Sequence, residues 1–321
     1  MKKLFVILLL IPNLFWGLTF KDGKQVDDPE PLEETTDSVS DQSKSLYRMQ
    51  RDSSLPKDIA SGARWQRSVG ETMKKHQIQI VSIEDGHPVN SGNQSIRFEI
   101  REGDCSYDTT WSDCKGDRFR SELSESKDGF KHKFFAWSIY LPKDFKSVDP
   151  VLLAMGQIHQ NMPNYKITNG KQPLYAQSLS FHFNNGGYWV VRYLKAFPPD
   201  GDPYSGYFNK KTHLLDVKDM LGKWNNIVLE FKGSKEKDGI VKVWINGELK
   251  YEYTGQTNDG GKNYFKFGMY QSWVSRINNT PPKPWIDGTK KKKSDPYPTQ
   301  VVYYDDIRIG KTYEEVTQKY N

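Results

Sequence analysis

Cysteine is scarce in this chain. Its 321 residues include two, Cys105 and Cys114, both in "GDCSYDTTWSDCKGD". No further thiol and no nearby histidine completes a tetrahedral set, which argues against a metal site. In an exported protein such a pair forms one disulfide that staples a loop. Long apolar runs are equally scarce. One opens the chain, "MKKLFVILLLIPNLFWG", behind two lysines. It has the pattern of a secretory signal peptide over residues 1–19, with an uncleaved anchor as the competing reading. No cysteine follows it to carry a lipid anchor, and no other segment is long and apolar enough to span a bilayer. The expected location is therefore secreted or periplasmic, with no stable membrane association once the signal is cleaved. Helical periodicity is scarce too, and tandem repeats and βαβ alternation are missing. This pattern excludes a helix bundle, a solenoid or a parallel α/β sheet.

Residues 20–58 are polar, acidic and nearly free of aromatics. Between Lys21 and Asp58 ten acidic residues face six basic ones, and a disordered linker is expected. The whole chain is formally +6, so the basic excess falls on the remainder. A basic domain suits a polyanionic partner. Residues 59–321 contain no internal boundary and read as one domain, most simply a monomer. β-rich runs recur between Gly, Pro, Asn and Asp: "QSIRFEIRE", "KFFAWSIYLP", "VLLAMGQIHQ", "SLSFHFNNGGYWVVRYL", "WNNIVLEFKGS", "GIVKVWINGELKYEY", "NYFKFGMYQSW" and "VVYYDDIRIG". In "INGE", Asn246 and Gly247 tolerate positive φ and mark a hairpin. Helix signals are short: "DIASGARWQRS", "VKDMLGK" and "TYEEVTQKY". The expected fold is all-β, a concanavalin-like jelly roll of two antiparallel sheets with a few short helices.

Three strands carry polar side chains that a buried strand does not need. In "DRFRSELSE", Arg118, Arg120 and Glu122 share a face. In "GQIHQ", Gln157 and His159 do. In "YFKFGMYQS", Tyr264, Lys266, Gly268 and Tyr270 do. Side by side, these faces would line one groove with guanidinium, amide, imidazole and phenol groups. Those groups suit β-elimination on a uronic acid polymer. The C5 proton is a weak acid while the adjacent carboxylate is charged. An arginine and an amide can neutralise that charge and hold the developing enolate. Histidine and tyrosine can serve as base and acid, and a basic groove favours a phenolate. No cofactor is required. A structural calcium ion stays open as an option.

The segments "RSEL", "QIH" and "YFKFGMY" resemble the three motifs of alginate lyases of polysaccharide lyase family 7, R-(S/T)-E-L, Q-(I/V)-H and Y-F-K-A-G-x-Y. Jelly-roll glucuronan lyases and heparin lyase I use a similar set. The resemblance spans roughly Ser95 to Gly310. It implies Arg120 with Gln157 on the carboxylate, His159 as base or carboxylate partner, and Tyr270 as acid. Arg118, Glu122, Lys266 and Tyr264 would support substrate binding. Phe267 stands where that family has Ala, and "QSW" replaces its trailing pattern. These departures favour a different uronic polymer, such as a glucuronan.

His182, between Phe181 and Phe183, is the spare histidine for the groove. Trp111, Trp273 and Trp285 fall in or near loops, where they would either stack on sugars or pack. Lys290–Lys293 is a solvated loop or a grip on a polyanion. A non-catalytic sugar-binding module on the same scaffold is the competing function. A retaining hydrolase needs two carboxylates about 5–5.5 Å apart. Glu122 and Glu125 are three apart, on opposite faces of a strand, without a central Asp. No nucleic-acid motif is present.

Overall fold

The structure is a computed structural model. It describes residues 74–107, 112–125, 129–161, 177–195, 207–258, 260–278 and 283–318, with short pieces at 20–21, 24–25, 55, 59–61 and 65–67. The expected signal peptide, most of the expected linker and Trp111 lie outside the described residues. The chain divides into two compact units, Met1–Val39 and Ser40–Asn321. In the first, the described residues form a short antiparallel ladder of β1 (Phe20–Lys21) and β2 (Lys24–Gln25).

Alternation builds the second unit. In β6 (Gln94–Ile100), Ile96, Phe98 and Ile100 are fully buried. In β14 (Gly239–Ile245), Val241, Val243 and Ile245 point inward while Ile240, Lys242 and Trp244 do not. A period of two buries one face of each strand, so the strands collect into sheets that cover each other. One sheet runs β15 (Glu248–Gly255), β14, β13 (Trp224–Lys232), β8 (His132–Tyr140), β17 (Gln300–Gly310), β6, β5 (Ile78–Ser82). The other runs β12 (Tyr207–Leu215), β11 (Gly187–Lys195), β10 (Gln177–Asn184), β9 (Leu152–Asn161), β16 (Lys262–Ser272), β7 (Arg118–Glu125), β4 (Trp65–Arg67). All pairings along both paths are antiparallel. Beside the first, β3 (Ala60–Ser61) adds a parallel contact to β17.

Aromatic rings join the sheets. Trp137 of β8 meets Phe181 of β10 and Phe265 of β16, both at 5.2 Å between centroids. Phe98 of β6 and Tyr304 of β17 pack on Phe267 of β16 at 5.6 and 5.3 Å. The Tyr304 hydroxyl crosses the interior and shares its one hydrogen between the carbonyls of Met155 (2.7 Å) and Gly268 (3.1 Å). Two helix expectations hold, at Val217–Met220 and Tyr313–Thr317. The third does not: "DIASGARWQRS" contributes β3 and β4, because β17 and β7 offer ladder partners that outweigh local propensity. Asn246 and Gly247 take the expected positive φ, 52° and 82°.

Candidate active site

The three polar strands are neighbours, with β16 between β9 and β7. Register sets their side chains in rows. Tyr270 lies opposite Arg120, and Gly268 opposite Glu122. Tyr264 lies opposite His159, and Lys266 opposite Gln157. Between Gln157 and Ala154 the ladder slips on both flanks: β10 moves from Ser180 to His182, and β16 from Lys266 to Tyr270. Gly156 (φ 144°) and Gly268 (φ 115°) supply the backbone conformations for this irregularity. The slip aligns Arg120, Tyr270, Ala154 and His182 across four strands. Ala154, the smallest side chain of that row, is itself buried.

The site has two layers. Arg120, His159 and Tyr270 are partly exposed. Beneath them, Glu122 and Gln157 are each 1% exposed and Lys266 4%. Glu122 accepts from Arg120 Nη1 at 2.9 Å and pairs with Lys266. It also accepts from Gln157 Nε2. Gln157 Oε1 accepts from Gln177 Nε2 and lies 3.0 Å from His159 Nε2. Tyr264 tilts against the His159 ring at 5.5 Å. Arg120 lies 4.3 Å over the Tyr270 ring, and Asp113 grips it through Nε (2.7 Å) and Nη2 (3.0 Å).

Burial sets the electrostatics. It pulls Lys266 down to about 8, against the upward pull of Glu122. It pushes Tyr264 up to about 12, with Glu122 adding to the rise. Burial also opposes the Arg120 charge, but Glu122 and Asp113 outweigh it and hold the guanidinium charged. His182 is brought down to about 3, first by burial and then by Lys211. It lies 3.1 Å from the Tyr193 hydroxyl.

Arg118 is half-buried on the groove face, opposite Ser272. Lys266, expected among the substrate contacts, is instead a buried partner of Glu122. Trp285 packs between Lys146 and Lys291, whose amino groups are each 5.6 Å from its ring centroid, so it is no stacking platform. Lys291 of the lysine run is buried on the carbonyl of Ile277 rather than solvated. Trp273 is 45% exposed just after β16, with Arg276 over its ring. Phe267 is fully buried on the core side of β16. It therefore says nothing about the polymer, contrary to the expectation drawn from its place in the motif. Cys105 and Cys114 form the expected disulfide. Among the described residues no group of three or more His, Cys, Asp or Glu converges as a metal site.

The family model "Polysaccharide lyase" matches residues 59–308. The chain belongs to the polysaccharide lyase family. No curated protein matches its sequence. Among solved structures, the lyase is similar to an endo-β-1,4-glucuronan lyase from the fungus Trichoderma reesei. Identity is 18%, covering 75% of this chain and 89% of that one, with a TM-score of 0.51. It is similar to the alginate lyase AlyA1 from Zobellia galactanivorans at 15% identity, 74% and 81% coverage and TM-score 0.40. An alginate lyase from Pseudomonas aeruginosa follows at 16% identity, 67% and 82% coverage and TM-score 0.39. These likenesses concern the fold.

Three residues that hold the candidate site together escaped the sequence reading: Asp113, Gln177 and Tyr304. Asp113 had one available signal, its place beside Cys114. Gln177 and Tyr304 had none, because their roles arise only from strand pairing and sheet packing.

Proposed function

We propose that this lyase is exported and cleaves a uronic-acid-containing polyanionic polysaccharide by β-elimination. One observation carries the reading: Arg120, His159 and Tyr270 reach one face from three adjacent strands, while the two carboxylates beside them are buried and ion-paired. Elimination needs a carboxylate partner, a base and an acid. A retaining hydrolase would need two carboxylates open to the sugar, and Glu122 and Asp113 are each 1% exposed.

In this reading Arg120 pairs with the sugar carboxylate and makes the C5 proton more acidic. His159 takes that proton. The C5–H electrons become the C4–C5 double bond as the C4–O bond breaks. Tyr270 gives its hydroxyl proton to the leaving oxygen. These steps use side-chain groups alone. The Cys105–Cys114 disulfide supports export, since such bonds persist in oxidising compartments.

The test is near-ultraviolet absorbance of the purified protein with glucuronan, alginate, heparin, hyaluronan and pectate. Glucuronan comes first, because the neighbour with a TM-score of 0.51 is a glucuronan lyase. Elimination creates an absorbing conjugated double bond at each new chain end. Tyr270→Phe and His159→Ala should each lower the rate by about 10²- to 10⁴-fold. A flat trace on all five polymers, with measurable binding to one, would favour the sugar-binding-module reading.

A further inference from the structure

Glu122 is almost wholly buried, yet three side chains of the site meet on it. Arg120, Lys266 and Gln157 all converge on its carboxylate. A carboxylate only accepts hydrogen bonds, so Gln157 must turn its NH₂ group toward Glu122. That fixes the other end of the amide. Gln157 Oε1 faces Gln177 Nε2 and His159 Nε2, the latter at 3.0 Å. Gln177 presents its NH₂ to the same oxygen, consistent with that orientation. An amide oxygen is also acceptor-only, so Nε2 of His159 must carry a hydrogen. In a neutral imidazole the lone pair then resides on Nδ1.

We propose that Glu122 is a positioning residue that sets the tautomer of His159 through Gln157, so that Nδ1 is the nitrogen that takes the C5 proton. The part about C5 rests on the β-elimination reading. The arrangement parallels other carboxylate-oriented imidazole bases, with a neutral amide inserted between acid and ring. After proton transfer Nδ1 bears the new hydrogen, while Nε2–H still meets a neutral oxygen. The imidazolium is held in place without a carboxylate at its back.

The test is the pair of ¹⁵N chemical shifts of the His159 ring in labelled full-length protein at neutral pH. His159→Gln assigns the signals by their loss among the six histidines. Nε2 is expected at the protonated position and Nδ1 at the unprotonated one. Glu122→Gln can offer its own NH₂ to Gln157 and so releases the amide to flip. In that variant the two shifts should converge or exchange. Its kcat should fall at least about tenfold, with KM within about twofold. A wild-type ring with its hydrogen on Nδ1 overturns the proposal without any variant. Unchanged His159 shifts in folded Glu122→Gln overturn it as well. If no uronic polymer is cleaved, the elimination reading fails separately, and the same spectrum still decides the tautomer.

Discussion

Asp113 holds the guanidinium of Arg120 by two parallel hydrogen bonds, and the next residue in the chain is Cys114 of the disulfide. The backbone repeats the theme at the other cysteine: Arg120 N–H donates to the carbonyl of Asp104, which precedes Cys105. The stapled loop thus orients the proposed carboxylate partner. Asp113→Asn should leave Arg120 loosely aimed and lower kcat/KM by up to about 10²-fold. The double variant Cys105→Ser, Cys114→Ser should lose about 2–3 kcal/mol of stability for so short a loop, read by urea denaturation, with a smaller loss of activity. Full kcat/KM in a folded Asp113→Asn protein would mean that Glu122 alone positions Arg120.

Lys266 gives the site an alkaline limit. Its ammonium, brought down to about 8 chiefly by burial, loses its proton as pH rises through that value. Arg120 is then the only cation left on Glu122, beside the neutral amide of Gln157, and in the proposed reading it becomes a weaker partner for an anionic sugar. We expect kcat/KM to fall above pH about 8. In Lys266→Arg, whose side chain does not titrate there, the limb should move to higher pH. Stability changes in the opposite direction. The unfolded chain keeps this proton up to about 10.4, so between about 8 and 10.4 it binds more protons than the folded one. The contribution of this group to stability therefore rises with pH across that window. A pH–rate profile identical in the Arg variant would assign the limb elsewhere.

His182 acts at the acid end. It is folded as the neutral ring, brought down to about 3, against about 6.5 in an unfolded chain. Between those values the unfolded state binds more protons. Stability should thus be fully present above about 6.5 and decline as pH falls toward about 3. Thermal melts at pH 7 and pH 4 should show a smaller acid loss in His182→Gln, which keeps a partner for Tyr193 without a titrating ring. An equal loss in both proteins would clear His182 of this role.

Gly268 cannot be given a side chain cheaply. A Cβ there would lie 2.5 Å from the carbonyl oxygen of Ser121 and 2.9 Å from Glu122 Cα, at φ 115°. Gly268→Ala should destabilise the fold by about 1–3 kcal/mol. It should also lower activity beyond what the unfolded fraction explains, because Tyr270 and Arg120 would shift together. A melt unchanged from wild type would show that β7 gives way easily.

Much of this was legible in the sequence, for a local reason. Two-residue alternation puts Arg118, Arg120 and Glu122 on one face, Gln157 and His159 on another, and Tyr264, Lys266, Gly268 and Tyr270 on a third. All three faces prove to be the same side of one sheet. The alternation also held a warning: if Lys266 and Gly268 face the groove, Phe267 faces the core, and its identity reports packing. Depth was not legible. Lys266 and Arg118 look alike in a strand pattern, yet one lies beneath the groove and the other at its surface, because Glu122 captures Lys266 from the adjacent strand. Nor was β3 or β4 legible, since their strand character comes from partners far along the chain.

The Tyr304 hydroxyl ties together the backbones of β9 and β16 where their register slips, and it does so from the opposite sheet. The spacing between His159 and Tyr270 is thereby written partly into a residue that no sugar can touch. A mutagenesis library confined to groove-facing positions would retune what the enzyme grips but leave that spacing intact. To fit a polymer of different ring shape or linkage, the search would have to start from the reverse side of the sandwich.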